Sequence, residues 1–176
     1  MGEQARYQVR FDWGVAGAHA VAADADVVVW VDAMREPGAA LELAALPPAP
    51  AVVEAAIPDA AAAARWVLDR QEAVRRRFGI AVIAAGATRP DGTTRFAVED
   101  LLAAGAVIDQ LAALGLDATS PEAAAAEAAY RGLQRAVGHL LTACVTAASA
   151  PPPEGAGRRR DDLGPADVVV RRDVRP

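Results

Sequence analysis

Two unbroken apolar runs constrain the fold of this 176-residue chain more than any other feature. They are "VVVWV" at Val27–Val31 and "IAVIA" at Ile80–Ala84, and neither contains a polar position. Only a strand that is covered on both faces tolerates such a run, and strands of this kind are typical of parallel sheets. Segments with helical periodicity lie between and after the runs. The pattern therefore predicts one α/β domain with a mainly parallel sheet flanked by helices.

Capping residues and apolar spacing predict the remaining elements. The segment Tyr7–Phe11 alternates apolar and polar residues, which indicates a half-buried strand, and a short helix is expected after it. Asp59 and Ser120 are typical N-cap residues and predict the starts of two further helices. The helix after Ser120 is predicted to run without a break through Cys144. Residues 166–174 are predicted to form a short terminal strand.

Two stretches interrupt this pattern. Prolines punctuate Pro37–Pro58, so we interpret that stretch as a shortened linker with one short helix. Residues 149–165 are rich in Pro, Gly and Arg without periodicity and are interpreted as a flexible loop. We expect both stretches to be the least ordered parts of a single domain that spans residues 1–176.

Composition and charge exclude several classes of partner. The composition is 53% apolar and only 5% aromatic, and the net charge is −5, which argues against a general affinity for nucleic acid. Charged residues interrupt every apolar stretch well before ~20 residues, so no membrane association is expected. The single Cys144 and the charged N-terminal segment predict a cytoplasmic protein. The sequence leaves a homodimer open.

Gly14 and Gly17 follow the first predicted strand, and Asp32 ends the second. In a dinucleotide-binding fold, such glycines let the backbone approach a pyrophosphate, and a later acid binds the ribose. The spacing matches that fingerprint only loosely because Val15 and Ala16 separate the two glycines. We therefore favour a plain turn over a nucleotide site.

Four charged residues follow the two apolar runs. Asp32 and Arg35 come after the first run, and Glu99 with Asp100 come after the second across a glycine-rich loop. The carboxyl ends of parallel strands meet at one edge, where ligands bind. Converging carboxylates repel one another unless a cation lies between them, and Mg²⁺ suits that role beside a phosphate held by an arginine. The alternative is that Glu99 and Asp100 only stabilise a helix start through its dipole.

Five segments resemble, in order, the 2-phosphosulfolactate phosphatase family (ComB-like): "YQVRFDWGVAG", "ADVVVWVDAMR", "GIAVIAAGATRPDGTTRFAVEDLLAAGAVIDQL", "SPEAAAA" and "ADVVVRRDV". The long third segment is the most specific of them. The resemblance implies a ComB-like fold and a Mg²⁺-dependent hydrolase. Its substrate would be 2-phosphosulfolactate or a related small phosphorylated sulfonate or hydroxy acid, and sulfolactate and phosphate would be its products. This step is associated with coenzyme M biosynthesis.

The resemblance also implies roles for particular residues. The catalytic residues would be Asp32, Arg35 and Glu99. Substrate would contact Arg35 and Gly86. The metal ligands would be Asp32, Glu99, Asp100 and Asp167.

The chain also departs from the family pattern. The family has a long central section with Asn-containing loops, whereas here that section is shortened to Pro37–Pro58 and the chain contains no Asn. The threonines that usually follow the arginine are replaced by Glu36, Pro37 and Gly38. These changes keep a second hypothesis open, in which the chain is a non-catalytic relative that retains the fold and has lost part of the substrate pocket.

Overall fold

A computed structural model describes residues 2–34, 41–149 and 168–173. The described residues form a five-stranded sheet with the strand order β1-β4-β2-β3-β7 and a separate two-stranded hairpin. The strands are β1 (Val9–Trp13), β2 (Val27–Val31), β3 (Ala51–Ala55), β4 (Ile80–Ala84), β5 (Ala87–Thr88), β6 (Thr94–Arg95) and β7 (Val169–Arg172). The helices are α1 (Gly14–Val21), α2 (Ala60–Val74), α3 (Val98–Ala113), α4 (Pro121–Leu133), α5 (Val137–Ala143) and α6 (Val145–Ser149).

The two apolar runs are interior strands, as predicted. β4 pairs in parallel with β1 on one side and with β2 on the other, and β2 also pairs in parallel with β3. Every residue of β2 and of β4 is buried. Within the five-stranded sheet of the described residues, only β7 is antiparallel, and it pairs with β3. The prediction of an α/β domain with a mainly parallel sheet is therefore confirmed.

The interpretation of Pro37–Pro58 as a linker is wrong at Ala51–Ala55, which form strand β3. Strand Ala51–Ala55 is completely buried between β2 and β7, and the short helix in this stretch is a 3₁₀ turn at Leu43–Ala45. Residues 37–40 lie outside the described residues, as do residues 150–165 of the predicted flexible loop. The prolines flank β3 rather than interrupt it, so they do not remove hydrogen bonds from its ladder.

The helix that begins after Ser120 starts as predicted but does not run through Cys144. The Ser120 hydroxyl accepts a hydrogen bond from the Ala123 N–H at 3.1 Å, so it caps α4. A 3₁₀ turn at Gln134–Ala136 then separates α4 from α5, and Cys144 has extended backbone between α5 and α6. Leu133 at the end of α4 is 40% exposed, whereas Leu141 in α5 is buried.

The two faces of the sheet are covered unequally. Helices α2, α3 and α4 pack on one face and form the larger core cluster. The other face contacts α1 and the segment around Leu46, which form a smaller cluster with Val28, Val52 and Ile83. No helix in the described ranges is long and apolar enough to cross a bilayer. Among the described residues, fewer elements cover the second face than the first.

Gln4 closes one edge of the sheet. Its side-chain amide donates to the Phe11 carbonyl at 3.0 Å and accepts from the Phe11 N–H at 3.1 Å, so it takes up both polar groups of an edge residue in β1. Gln4 holds this position with a left-handed backbone, φ 57°. Further along the same edge, the Ser120 N–H donates to the Val9 carbonyl at 2.8 Å. Unpaired edge groups invite pairing with another chain, and these contacts satisfy them.

We expect Gly105→Ala to lower the free energy of unfolding by about 2 kcal/mol because α3 and α4 cross closely at this point. A Cβ on Gly105 would lie 2.2 Å from the Ala126 carbonyl oxygen. Gly132→Ala is the matched control, since Gly132 is an exposed helical glycine with no atom within 4 Å of the added Cβ. The control should gain about 0.5–1 kcal/mol. Urea unfolding measures both, and equal effects would contradict the close crossing.

Candidate active site

A cleft of about 650 Å³ lies at the carboxyl ends of β1, β2 and β4. We call it the strand-end cleft. Its walls come from the first turn of α1, the ends of the parallel strands, the 41–45 segment and the hairpin β5–β6. The residues that line it are Trp13, Gly14, Val15, Ala16, Trp30, Asp32, Leu41, Glu42, Ala45, Glu54, Ala85, Gly86, Thr88, Gly92, Thr93 and Thr94.

The topology of the sheet explains why the cleft forms at this point. Adjacent strands β1 and β4 send their following connections to opposite faces, because β1 leads to α1 on one face and β4 leads to α3 on the other. In open α/β sheets, ligands bind outside the carboxyl ends of strands where the connections diverge in this way. The cleft therefore occupies the position where this fold class places its ligands.

The hairpin β5–β6 packs against the cleft through two glycines. Gly14 and Gly86 have left-handed backbones with φ 60° and φ 68°. A Cβ on Gly14 would lie 2.6 Å from Thr94 Oγ1, and a Cβ on Gly86 would lie 2.5 Å from Thr94 Cγ2. The Trp13 and Phe96 rings meet beside the hairpin, with centroids 5.2 Å apart. Both glycines are therefore required by backbone conformation and by close packing.

The second glycine of the nucleotide-like pattern has a packing role. Gly17 lies inside α1, and a Cβ there would lie 2.8 Å from the Asp12 side chain. Its absence of a side chain lets α1 approach β1, and Gly14 supplies the turn into the helix. Gly14 therefore lies at a turn, whereas Gly17 is an ordinary helical residue.

Two predicted site residues line the strand-end cleft. Asp32 is half-buried directly after β2, and its Oδ1 accepts a hydrogen bond from the Met34 N–H at 3.2 Å. Gly86 lies two residues after β4 and contributes backbone to the wall. Arg35 and Asp167, the other predicted phosphate and metal residues, lie outside the described residues.

Asp100 is brought to the same end of the sheet but does not line the cleft. It lies in the first turn of α3, and only 4% of it is exposed. One carboxylate oxygen accepts from the Ala33 N–H at 2.8 Å, and the other accepts from the Gly86 N–H at 2.9 Å. Both oxygens of Asp100 are therefore engaged by backbone donors from two different loops.

Glu99 points to a different part of the molecule. It is 3% exposed, and its Oε1 accepts a hydrogen bond from the Thr146 hydroxyl in α6. The Arg95 guanidinium donates to the same hydroxyl oxygen at 3.4 Å. Glu99 thus connects the start of α3 to α6, and it is absent from the cleft lining.

The pKa of Asp100 is raised to about 7 from its ordinary value of 3.8, first because burial disfavours the charged form. The charges of Asp32 and Glu99 raise this pKa as well, whereas the hydrogen bonds from Ala33 and Gly86 lower it. Asp32 and Glu99 are therefore close enough to Asp100 to affect its charge, although the hydrogen bonds of the three acids differ.

The three described acids do not fit a shared Mg²⁺ site in this arrangement. Within residues 2–34, 41–149 and 168–173, no three His, Cys, Asp or Glu side chains come together as a metal-binding group. Both oxygens of Asp100 and one oxygen of Glu99 accept hydrogen bonds from the protein. Asp32 remains the predicted ligand that faces the cleft.

Glu54 is a cleft residue that the sequence reasoning missed. It lies in β3 beside Trp30 of β2, is 8% exposed, and forms an ion pair with Arg171 at 2.8 Å. Its signal was an acid near the carboxyl end of an apolar pentapeptide. That signal was overlooked because the surrounding prolines led us to interpret the stretch as a linker.

No family model matches the chain, and no curated protein or solved structure matches it either. The resemblance to the ComB-like family therefore rests on the sequence segments that carry it.

We expect the stability of the metal-free protein to fall with rising pH through the titration of Asp100. Its pKa is raised from 3.8 to about 7 on folding, so between these values the folded state holds the extra proton. The slope from this group approaches ~1.4 kcal/mol per pH unit. Asp100→Asn removes this pH dependence. The free energy of unfolding of the wild type minus that of the variant should therefore decrease between about pH 5 and about pH 7. Urea unfolding of both proteins tests this, and a difference independent of pH would contradict it.

We expect Gly86→Ala to detach the hairpin, because a Cβ there meets Thr94 and the Arg95 carbonyl. Gly92→Ala is the control, since Gly92 also has a left-handed backbone, φ 82°, but no atom lies within 4 Å of the added Cβ. Both variants carry the backbone cost of about 1–2 kcal/mol. Only Gly86→Ala should accelerate tryptic cleavage after Arg95. Equal cleavage rates would show that the hairpin does not depend on this contact.

Proposed function

We propose that the chain hydrolyses the phosphate ester of a small hydroxy acid, such as 2-phosphosulfolactate, in the strand-end cleft with Mg²⁺. The observation that carries the proposal is the position of the cleft at the diverging ends of β1 and β4, with Asp32 and Gly86 in its wall. The sequence resemblance supplies the reaction and the substrate class. The size of the cleft suits a small organic phosphate.

The charge of the cleft supports a requirement for a cation. Its described lining carries the acids Asp32, Glu42 and Glu54, of which Glu54 is paired with Arg171, and no basic side chain. A phosphate dianion would be repelled by this surface unless positive charge accompanied it. Mg²⁺ is commonly held by one or two carboxylates together with a substrate phosphate and water, so Asp32 alone can contribute to such binding. Arg35, three residues further along, is the expected phosphate-binding residue.

The described side chains have distinct roles under this proposal. Asp32 holds negative charge at the cleft wall for the cation and the nucleophile. Thr88, Thr93 and Thr94 of the hairpin also line the cleft. Trp30 supplies an apolar surface for the carbon skeleton.

A second function, binding of a similar ligand without hydrolysis, is favoured by one observation. Glu99, an expected catalytic residue, is 3% exposed and hydrogen-bonded to Thr146, and it does not line the cleft. A carboxylate in this position does not reach a ligand there. The shortened centre of the chain points in the same direction.

We expect the purified protein to release phosphate from 2-phosphosulfolactate in Mg²⁺ and not in EDTA. Asp32→Asn should lower turnover by roughly 10²-fold, because it removes the charge at the reacting centre. Asp69→Asn is the control, since this acid lies on the exposed side of α2 with 57% of its side chain accessible. Ligand binding by calorimetry without phosphate release would favour the second function. Absence of both binding and release would contradict both functions.

A further inference from the structure

We propose that Asp100 is a positioning residue that sets the spacing of the two loops carrying Asp32 and Gly86, and that it is not a cation ligand. This inference is independent of hydrolysis, because it concerns how the wall of the strand-end cleft is held. It departs from the metal-binding role that the family resemblance implies for the same residue.

The two hydrogen bonds of Asp100 connect parts of the chain that are far apart in sequence. Ala33 follows β2 and Gly86 follows β4, and these strands are neighbours in the sheet. The carboxylate accepts from one loop with each oxygen, at 2.8 Å and 2.9 Å. Both donors lie at the cleft wall. Ala33 directly follows Asp32, which lines the cleft, and Gly86 is itself a lining residue. The carboxylate therefore holds the two strand exits at a fixed separation.

A helix start does not by itself explain this arrangement. An acid at the third position of a helix commonly folds back to the N-cap backbone. The side chain of Asp100 reaches away from α3 to the two other loops instead. A buried backbone N–H without an acceptor is costly, so Asp100 satisfies a requirement of both loops as well as of its own helix.

The chemistry of the side chain limits what can replace it. A carboxylate offers an acceptor on each oxygen, whereas an asparagine offers one acceptor and places its NH₂ group against the second backbone N–H. Asp100→Asn should therefore break one of the two contacts and leave the overall volume unchanged. The pair of loops would lose its connection while the sheet hydrogen bonds remain.

Glu99 provides the matched control because it is adjacent, acidic and equally buried. Its hydrogen bond goes to Thr146 in α6 rather than to either cleft loop. Glu99→Gln keeps an oxygen that accepts from the Thr146 hydroxyl. At a pH well above the Asp100 pKa of about 7, it removes one negative charge near the cleft, as Asp100→Asn does, so charge loss alone affects both variants.

Hydrogen exchange of the metal-free protein tests the positioning role. We expect Asp100→Asn to accelerate exchange of at least one of the Ala33 and Gly86 amides by tenfold or more and to leave the α2 amides as protected as in wild type. Glu99→Gln should leave both loop amides protected. Protection retained in Asp100→Asn would overturn the proposal. An equal loss of amide protection in Glu99→Gln would also overturn it. The loss of negative charge, rather than the loss of the Asp100 hydrogen bonds, would then explain the faster exchange.

A measurement on the wild type keeps the test decisive if Asp100→Asn does not fold. Each carboxylate oxygen has two lone pairs, so a cation bound to Asp100 would compete with the hydrogen bonds from Ala33 and Gly86 and weaken them rather than remove them. We therefore expect saturating Mg²⁺ to leave exchange of these two amides unchanged, whether or not Mg²⁺ binds elsewhere. Faster exchange of both amides in Mg²⁺ would overturn the proposal in favour of a ligand role.

Calorimetry with Mg²⁺ separates this inference from the proposed function. Where Mg²⁺ binds, Asp100→Asn should retain the affinity within about threefold, and Asp32→Asn should lose it. Loss of binding in Asp100→Asn with intact amide protection would identify a ligand instead. A wild type that releases no phosphate would refute the hydrolase and leave the exchange result for Asp100 standing.

Discussion

The parallel pairing of β4 with both β1 and β2 is the constraint on which the rest of the structure depends. β4 comes after β3 in the chain, yet it lies between the first two strands. The sheet is therefore complete only when Ile80–Ala84 pairs with two strands that come much earlier in the sequence. Such non-local pairing costs chain entropy before it gains contacts, so this topology is expected to fold slowly for its size. The same insertion makes the connections of β1 and β4 diverge and creates the cleft.

The sequence predicted those parts of the fold in which one physical signal dominates. Val27–Val31 and Ile80–Ala84 are apolar throughout, and only interior strands accommodate such runs. Ser120 was predicted to start a helix because serine is a preferred N-cap residue and the proline after it is favoured at the first helical position. β3 was missed because Glu54 interrupts its apolar pattern and prolines lie on both sides of it. The partner Arg171, which makes burial of Glu54 tolerable, lies more than a hundred residues away.

The candidate site was likewise predicted from the sequence only in part. Topology alone places Asp32 and Gly86 at the cleft, because both directly follow interior strands. Periodicity places Asp100 at a helix start, but it does not reveal which loops its oxygens reach. That information depends on how α3 packs over the ends of β2 and β4. A carboxylate at a helix N-terminus therefore has the same local signature whether it faces solvent, a ligand or the backbone of another loop.

The Gln4 side chain has a consequence for assembly. By occupying both polar groups of Phe11, it prevents the β1 edge from accepting another strand. Of the two sheet edges among the described residues, β7 is then the one at which a neighbouring chain could extend the sheet. A strand of another chain would therefore find no free backbone groups at Phe11.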